Sequence, residues 1–247
     1  MVSRGRWKRA QQYERGYWEG LANRIATGAT SQLEWYRWRA DQLMQKLRAH
    51  GVDPLAGPDS AAVEVGSGPI GLVPFLPASE RVAVDPLEPF YGRNEVLTTL
   101  RSPNVQYREG VGERLPCESG SFDLAIIDNC IDHVQNPAAV RDEIARVLKP
   151  GGILFLTVNC RTAWGYLAHR VLSRLRLDPG HPHTFTPRRT RAFLERGAFE
   201  VVTYDFGEYA EARRADLESG ERRARIKALL GVSEFLCNTV SRRANGH

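Results

Sequence analysis

The chain has 247 residues, 42% hydrophobic and 26% charged, which supplies a buried core and too little charge imbalance for disorder. Its formal charge of +5 offers only a weak attraction for acidic partners. No stretch approaches the ~18 apolar residues of a membrane span, and the basic start MVSRGRWKRA leads into no apolar run of signal-peptide length, so the cytoplasm is the expected location.

Residues 1–58 read as a helical cap or lid. Tyr13, Tyr17, Leu21 and Ile25 recur at spacings of four, as do Leu33, Tyr36, Leu43 and Leu47 at spacings of three, seven and four, predicting two helices broken near Gly28. Four of the five tryptophans, Trp7, Trp18, Trp35 and Trp38, fall in this segment, so some must pack on the main body. The stretch DPLAGPDS from Asp53 to Ser60 reads as a linker into the core, residues 59–247.

Short apolar runs then alternate with helical or loop material: Ala61–Val65, Arg81–Val84, Val105–Tyr107, Phe122–Asp128, Ile153–Val158, Glu200–Tyr204 and Phe235–Val240. This alternation predicts an α/β fold, a Rossmann-like, seven-stranded, mostly parallel sheet with helices on both faces. One helix is well marked, with Asn136 as its cap, Pro137 in its first turn, Val140, Ile144 and Val147 as its apolar stripe, and Pro150-Gly151-Gly152 as its end. Between about 161 and 186 the chain is longer than a minimal crossover. It holds an expected helix at Ala163–Leu175, the loop DPGHPHTFT and a helix capped by Thr186, and is expected to face the substrate.

After the first strand the string EVGSGPIGL places Gly66 and Gly68 where a tight turn lets backbone approach a ligand. Asp85 ends the next strand, where a carboxylate suits the two hydroxyls of a ribose. An adenosine-containing cofactor is the common denominator. Gly66, Gly68 and Gly71 also satisfy the dinucleotide pattern G-x-G-x-x-G. Glu64 opposes that reading, because its charge would repel a pyrophosphate but attract the α-ammonium of a sulfonium cofactor.

From residue 110 the run GVGERLPCESGSFDLAIIDNCIDHVQNPAAVRDEIARVLKPGGILFLTV resembles the small-molecule branch of class I, S-adenosylmethionine-dependent methyltransferases, the type 11-like group. The resemblance extends from about Ala61 to Val158, with weaker similarity through HTFTP and the final strand. It implies S-adenosylmethionine as cofactor, with Glu64, Gly66, Ser67 and Gly68 around its methionine part. It further implies Asp85 on the ribose, Pro86 and Leu87 beside the adenine, Gly112 and Glu113 presenting backbone to the ring, and Asn129 and Cys130 beneath the sulfonium. Val111 departs from the pattern, standing where many relatives carry an Asp that accepts from the adenine amino group.

Methyl transfer is an in-line displacement that depends chiefly on positioning. A hydroxyl acceptor gains from a base, and the candidates are His133, at the family's recurring histidine, and His183, preferred over His181 because a histidine often precedes such an FT-P turn in relatives. Tyr13, Tyr17 and Trp18 are expected to form an aromatic lid over cofactor and acceptor. No metal is expected, since a His181–His183 pair has no acidic third ligand adjacent in sequence. Cys117, Cys130, Cys160 and Cys237 are widely spaced and read as free thiols.

The implied activity is transfer of a methyl group to a small metabolite, at oxygen by preference. RNA or DNA methylation has only the positive charge in its support, and Pro116-Cys117 precedes the fourth strand, misplaced for a nucleophilic cysteine. A non-catalytic binding protein and an NAD-dependent oxidoreductase are the other readings. The acceptor and the oligomeric state are not legible.

Overall fold

The structure, a computed structural model, describes residues 2–28, 33–174 and 180–245. Two N-terminal helices, α1 (Arg4–Ala26) and α2 (Leu33–Ala49), precede the sheet. The core then runs β1 (Ala61–Val65), β2 (Glu80–Asp85), α3 (Glu88–Tyr91), α4 (Glu95–Thr98), β3 (Gln106–Glu109), β4 (Phe122–Asp128), α5 (Pro137–Val147) and β5 (Leu148–Cys160). It finishes with α6 (Ala163–Arg174), α7 (Pro187–Glu195), β6 (Phe199–Phe206), α8 (Tyr209–Glu218), α9 (Arg222–Leu229) and β7 (Phe235–Arg243). Leu175, Asp178 and Pro179, which close the helix and open the loop expected between 161 and 186, lie outside the described residues.

All seven expected strands form one sheet in the order β3-β2-β1-β4-β5-β7-β6. The neighbours among β1 to β5 are parallel, and β7 runs antiparallel to both β5 and β6. Alternation of side chains along each strand feeds two cores. Val63, Val65, Ala125, Ile127, Leu154 and Leu156 face one side, with Val140, Ile144 and Val147 of α5 packed among them. Ala62, Leu124, Ile126, Ile153 and Phe155 face the other, with Ala40, Leu43, Met44 and Leu47 of α2.

Two local expectations are corrected. The helix expected to end at Pro150-Gly151-Gly152 stops at Val147, and β5 starts immediately with Leu148, paired to Phe122. Pro150 disfavours helical geometry at Lys149, so the chain is already extended before the glycines. Asn136 takes the cap position without a side-chain cap bond. Instead the Glu113 carboxylate accepts the N–H groups of Gln135 and Asn136, each at 2.8 Å, and fixes the entry to α5. Glu113→Ala therefore is expected to cost ~2 kcal/mol, from two bonds to a charged acceptor, and to lower Tm in a thermal melt by ~4–8 °C.

Candidate functional site

The first four parallel strands end together at Val65, Asp85, Glu109 and Asp128, the carboxyl edge where open α/β sheets bind ligands. A cavity of about 820 Å³ lies there, with α1 across it. Every expected cofactor residue lines it: Glu64, Gly66, Ser67 and Gly68 after β1, Asp85, Pro86 and Leu87 after β2, Gly112 and Glu113 after β3, and Asn129 and Cys130 after β4.

The glycine loop is built around two buried carboxylates. Asp85 accepts from the backbone N–H of Leu87 through Oδ1 at 2.8 Å and of Gly68 through Oδ2 at 2.9 Å. Each oxygen keeps a second acceptor position, so the side chain both pins the loop and suits a pair of hydroxyls. Burial pushes its pKa up to about 6, against the pull of those N–H groups. Glu64 turns Oε2 onto the N–H groups of Leu72, at 2.5 Å, and Val73, at 3.1 Å, and burial pushes its pKa up to about 8. Gly66 and Gly68 have φ of +72° and +62°. A Cβ on Gly66 would lie 2.4 Å from Cys130 Sγ, and one on Gly68 would lie 2.9 Å from the Trp18 ring. The glycines thus serve a tight turn and also a close approach, as the string EVGSGPIGL predicts.

Below the loop, the Cys130 thiol donates to the Val65 carbonyl at 2.9 Å. Asn129 is the non-glycine residue at positive φ among the described residues, at +53°. Asn tolerates that region, and here its N–H donates to Thr157 while its Oδ1 accepts from the Asn159 N–H at 3.0 Å. At the end of β4, Asp128 receives a two-pronged guanidinium from Arg39 of α2, with contacts of 2.7 and 3.2 Å, and the Thr157 hydroxyl at 2.6 Å. Sequence reasoning did not find this half-buried pair, whose partners are far apart in the chain.

The roof is α1. Its N-terminus is tied to the β4–α5 loop by Val2 N–H to the Gln135 carbonyl at 2.9 Å. Its other end packs Ala22 on Tyr91 and Leu97. From α1 the cavity is lined by Trp7, Gln11, Tyr13, Glu14, Tyr17 and Trp18, recurring at helical spacings of three and four. The three expected aromatic residues all line the cavity: Trp18 lies over the glycine loop, edge-on to Tyr91 at 6.0 Å, while Tyr13 and Tyr17, 48% and 53% exposed, stand toward its rim.

Of the histidines, His133 and His181 line the cavity, and His183 is not among its lining residues. The His183 N–H donates to the Asp132 carbonyl at 3.1 Å, which lays the residue along the β4–α5 loop, and the ring reaches the Gln135 carbonyl at 3.3 Å. Its expected place in the cleft is taken by His181. The His133 ring contacts Glu14 and Asp132 side chains, at 3.3 and 3.7 Å. Burial raises the pKa of Glu14 against the attraction of His133 and His181. Asp132, distant from His181 in sequence, lies beside His133 and His181 in space. The four cysteines are free thiols.

A family model described as a methyltransferase domain matches residues 63–156, from β1 into β5. An uncharacterized methyltransferase-like protein of Schizosaccharomyces pombe is 35% identical over 127 residues, 48% of this chain and 47% of that protein. A ubiquinone biosynthesis O-methyltransferase of Methylococcus capsulatus is 29% identical over 145 residues, 58% of this chain and 60% of the relative. The matched region thus spans about half the length of these curated relatives. Geranyl diphosphate C-methyltransferase of Streptomyces coelicolor, solved with Mg²⁺, geranyl diphosphate and S-adenosylhomocysteine, superposes with a TM-score of 0.61 at 15% identity, over 83% of this chain and 78% of that one. At that identity the likeness is one of fold.

Proposed function

We propose that this chain is a class I S-adenosylmethionine-dependent methyltransferase that transfers a methyl group from that cofactor to an oxygen of a small metabolite. The observation that carries the proposal is the pair of buried carboxylates, Glu64 and Asp85, on one glycine loop inside a cavity roofed by α1. Asp85 would take the ribose hydroxyls, Pro86, Leu87, Gly112 and Glu113 the adenine, and Glu64, Gly66, Ser67 and Gly68 the amino-acid part. Asn129 and Cys130 form the floor beneath the sulfonium. When bound, the cofactor supplies an electrophilic methyl carbon, which the acceptor oxygen takes as its proton leaves and the C–S electron pair returns to sulfur.

The chain's own part is to hold an acceptor against that position and to keep water out. Trp7, Trp18 and Trp35 enclose the cavity, with Tyr13 and Tyr17 at its rim, and a roofed space of this kind suits a small acceptor better than a polynucleotide strand. Segment 161–186 reaches the same space through His181, which supports its reading as a substrate-facing insertion of the 59–247 core, with 1–58 as the lid. Preference for oxygen draws support from the ubiquinone O-methyltransferase relative and from the ionisable groups at this end of the cavity, Glu14, Asp132, His133 and His181, which can receive or direct a proton. His183, held on the Gln135 carbonyl, is the weaker candidate. Among the described residues no helix is long and apolar enough to cross a membrane.

The test is calorimetric titration with S-adenosylhomocysteine, with NAD as control, followed by incubation with S-adenosylmethionine and a panel of hydroxylated, amino and carbon-acid metabolites. The expected result is saturable binding of S-adenosylhomocysteine alone and a product heavier by one methyl group from a hydroxylated compound. Saturable NAD binding without S-adenosylhomocysteine binding would return the oxidoreductase reading.

A further inference from the structure

Two separate segments bring three metal-ligating side chains together on the acceptor side of the cavity. Asp132 and His133 come from the β4–α5 loop and His181 from the stretch before α7, and one donor atom from each lies within 4.8 Å of the others. Asp132 is buried, and both imidazoles line the cavity, their centroids 4.8 Å apart. His133 Nε2 faces Asp132 Oδ1 at 3.7 Å, while its Nδ1 lies 3.3 Å from Glu14 Oε1 on α1. A carboxylate on the remote nitrogen is the usual way a ligating histidine is oriented and made a better donor. The loops are braced as well: His133 N–H donates to the Cys130 carbonyl at 3.0 Å, and the Arg6 guanidinium donates to the His181 carbonyl at 3.1 Å.

We propose that Asp132, His133 through Nε2, and His181 bind a divalent transition-metal ion whose open coordination positions face the acceptor. Two imidazoles with one carboxylate suit zinc, manganese, iron, cobalt or nickel, whereas magnesium and calcium prefer oxygen donors. Bonds to such ions run ~2.0–2.2 Å, so the donors close on the ion with side-chain movements of about an ångström. Three protein ligands leave at least one position open. With two positions open, the site selects acceptors that chelate: a vicinal diol, a catechol, or a hydroxyl beside a carbonyl.

This inference rests on the methyltransferase reading for its chemistry. A metal ion lowers the pKa of bound water from 15.7 to ~7, and a bound acceptor hydroxyl is acidified in the same sense. The hydroxyl releases its proton to solvent, its oxygen pair forms the bond to the methyl carbon, and the C–S pair returns to sulfur. The metal acts as a Lewis acid and changes neither charge nor oxidation state.

The experiment titrates tag-free, EDTA-stripped full-length protein with CoCl₂, following the visible d–d absorption and the calorimetric stoichiometry. One Co²⁺ per chain is expected for the wild type and for His183→Ala, whose ring lies outside the cluster. His181→Ala and Asp132→Asn are expected to lose about 100-fold or more in affinity, and Glu14→Gln ~10–100-fold. Asp132→Asn keeps the shape of its side chain and carries the test if His181→Ala fails to fold. Absence of Co²⁺ binding, or equal binding by wild type, His181→Ala and Asp132→Asn, overturns the site. Parallel titration with S-adenosylhomocysteine separates the two failures: cofactor bound without Co²⁺ removes the metal and leaves the methyltransferase, and Co²⁺ bound without cofactor removes the premise.

Discussion

Asp85→Ala is expected to weaken S-adenosylhomocysteine binding by about 10²–10³-fold. The substitution removes two kinds of contact at once. Bonds from ligand hydroxyls to an ionised acceptor contribute ~1.5–3 kcal/mol each, and the same carboxylate holds the N–H groups of Gly68 and Leu87. Without it, the glycine loop loses the anchor that sets its distance from β2. Asp85→Asn should fall between wild type and Asp85→Ala, because the amide oxygen satisfies one backbone donor while the amide nitrogen opposes the other. Affinity should also depend on pH. Burial holds the Asp85 carboxyl near 6, so wild-type binding should weaken by up to tenfold per pH unit below that value as the carboxylate protonates, and Asp85→Ala should lack that component. An affinity within a few-fold of wild type for Asp85→Ala by calorimetry would assign the ribose to other residues.

The fold was legible because its information is local. Runs such as Phe122–Asp128 announce a buried strand in seven letters, and Pro137 and Pro150 punctuate the helix between β4 and β5. That Glu64, Gly66, Gly68 and Asp85 meet in one cavity was legible for a similar reason: they belong to one β-loop-β passage, so their nearness in sequence carries over to space. The other end of the cavity is assembled differently. Glu14, Asp132 and His181 come from a helix and two loops separated by more than a hundred residues on one side and nearly fifty on the other, and no periodicity reports that meeting. Nor does it report that His181 rather than His183 lines the cavity, the His183 ring being held on the Gln135 carbonyl.

Glu64→Gln is expected to make the unliganded protein more stable at about pH 8 and the cofactor bind less well. Glu64 is 3% exposed, and its carboxyl is pushed up to about 8 by burial, with Asp128 and Asp85 adding to the effect. A carboxyl raised in the folded chain holds its proton more tightly there than in the unfolded chain, so folding is favoured while the group is protonated. Stability should therefore fall as pH rises from about 4.5 to about 8, by roughly 5 kcal/mol from this residue, with Asp85 adding a smaller fall between about 4 and 6. The amide introduced by Glu64→Gln keeps an oxygen for the N–H groups of Leu72 and Val73 and carries no charge to desolvate. Thermal melts from about pH 5 to 8 should show a steep decline in wild type and a much flatter profile in the variant. Cofactor binding reverses the comparison, since the ionised Glu64 attracts the ammonium and sulfonium charges. The wild type should accordingly release a proton on binding near neutral pH, visible as a buffer-dependent calorimetric enthalpy, and Glu64→Gln should release less while losing about tenfold in affinity, ~1.4 kcal/mol. A variant less stable than wild type at about pH 8 would mean that the hydrogen bonds to Leu72 and Val73 need the full charge, and that the loop is held by electrostatics rather than strained by it.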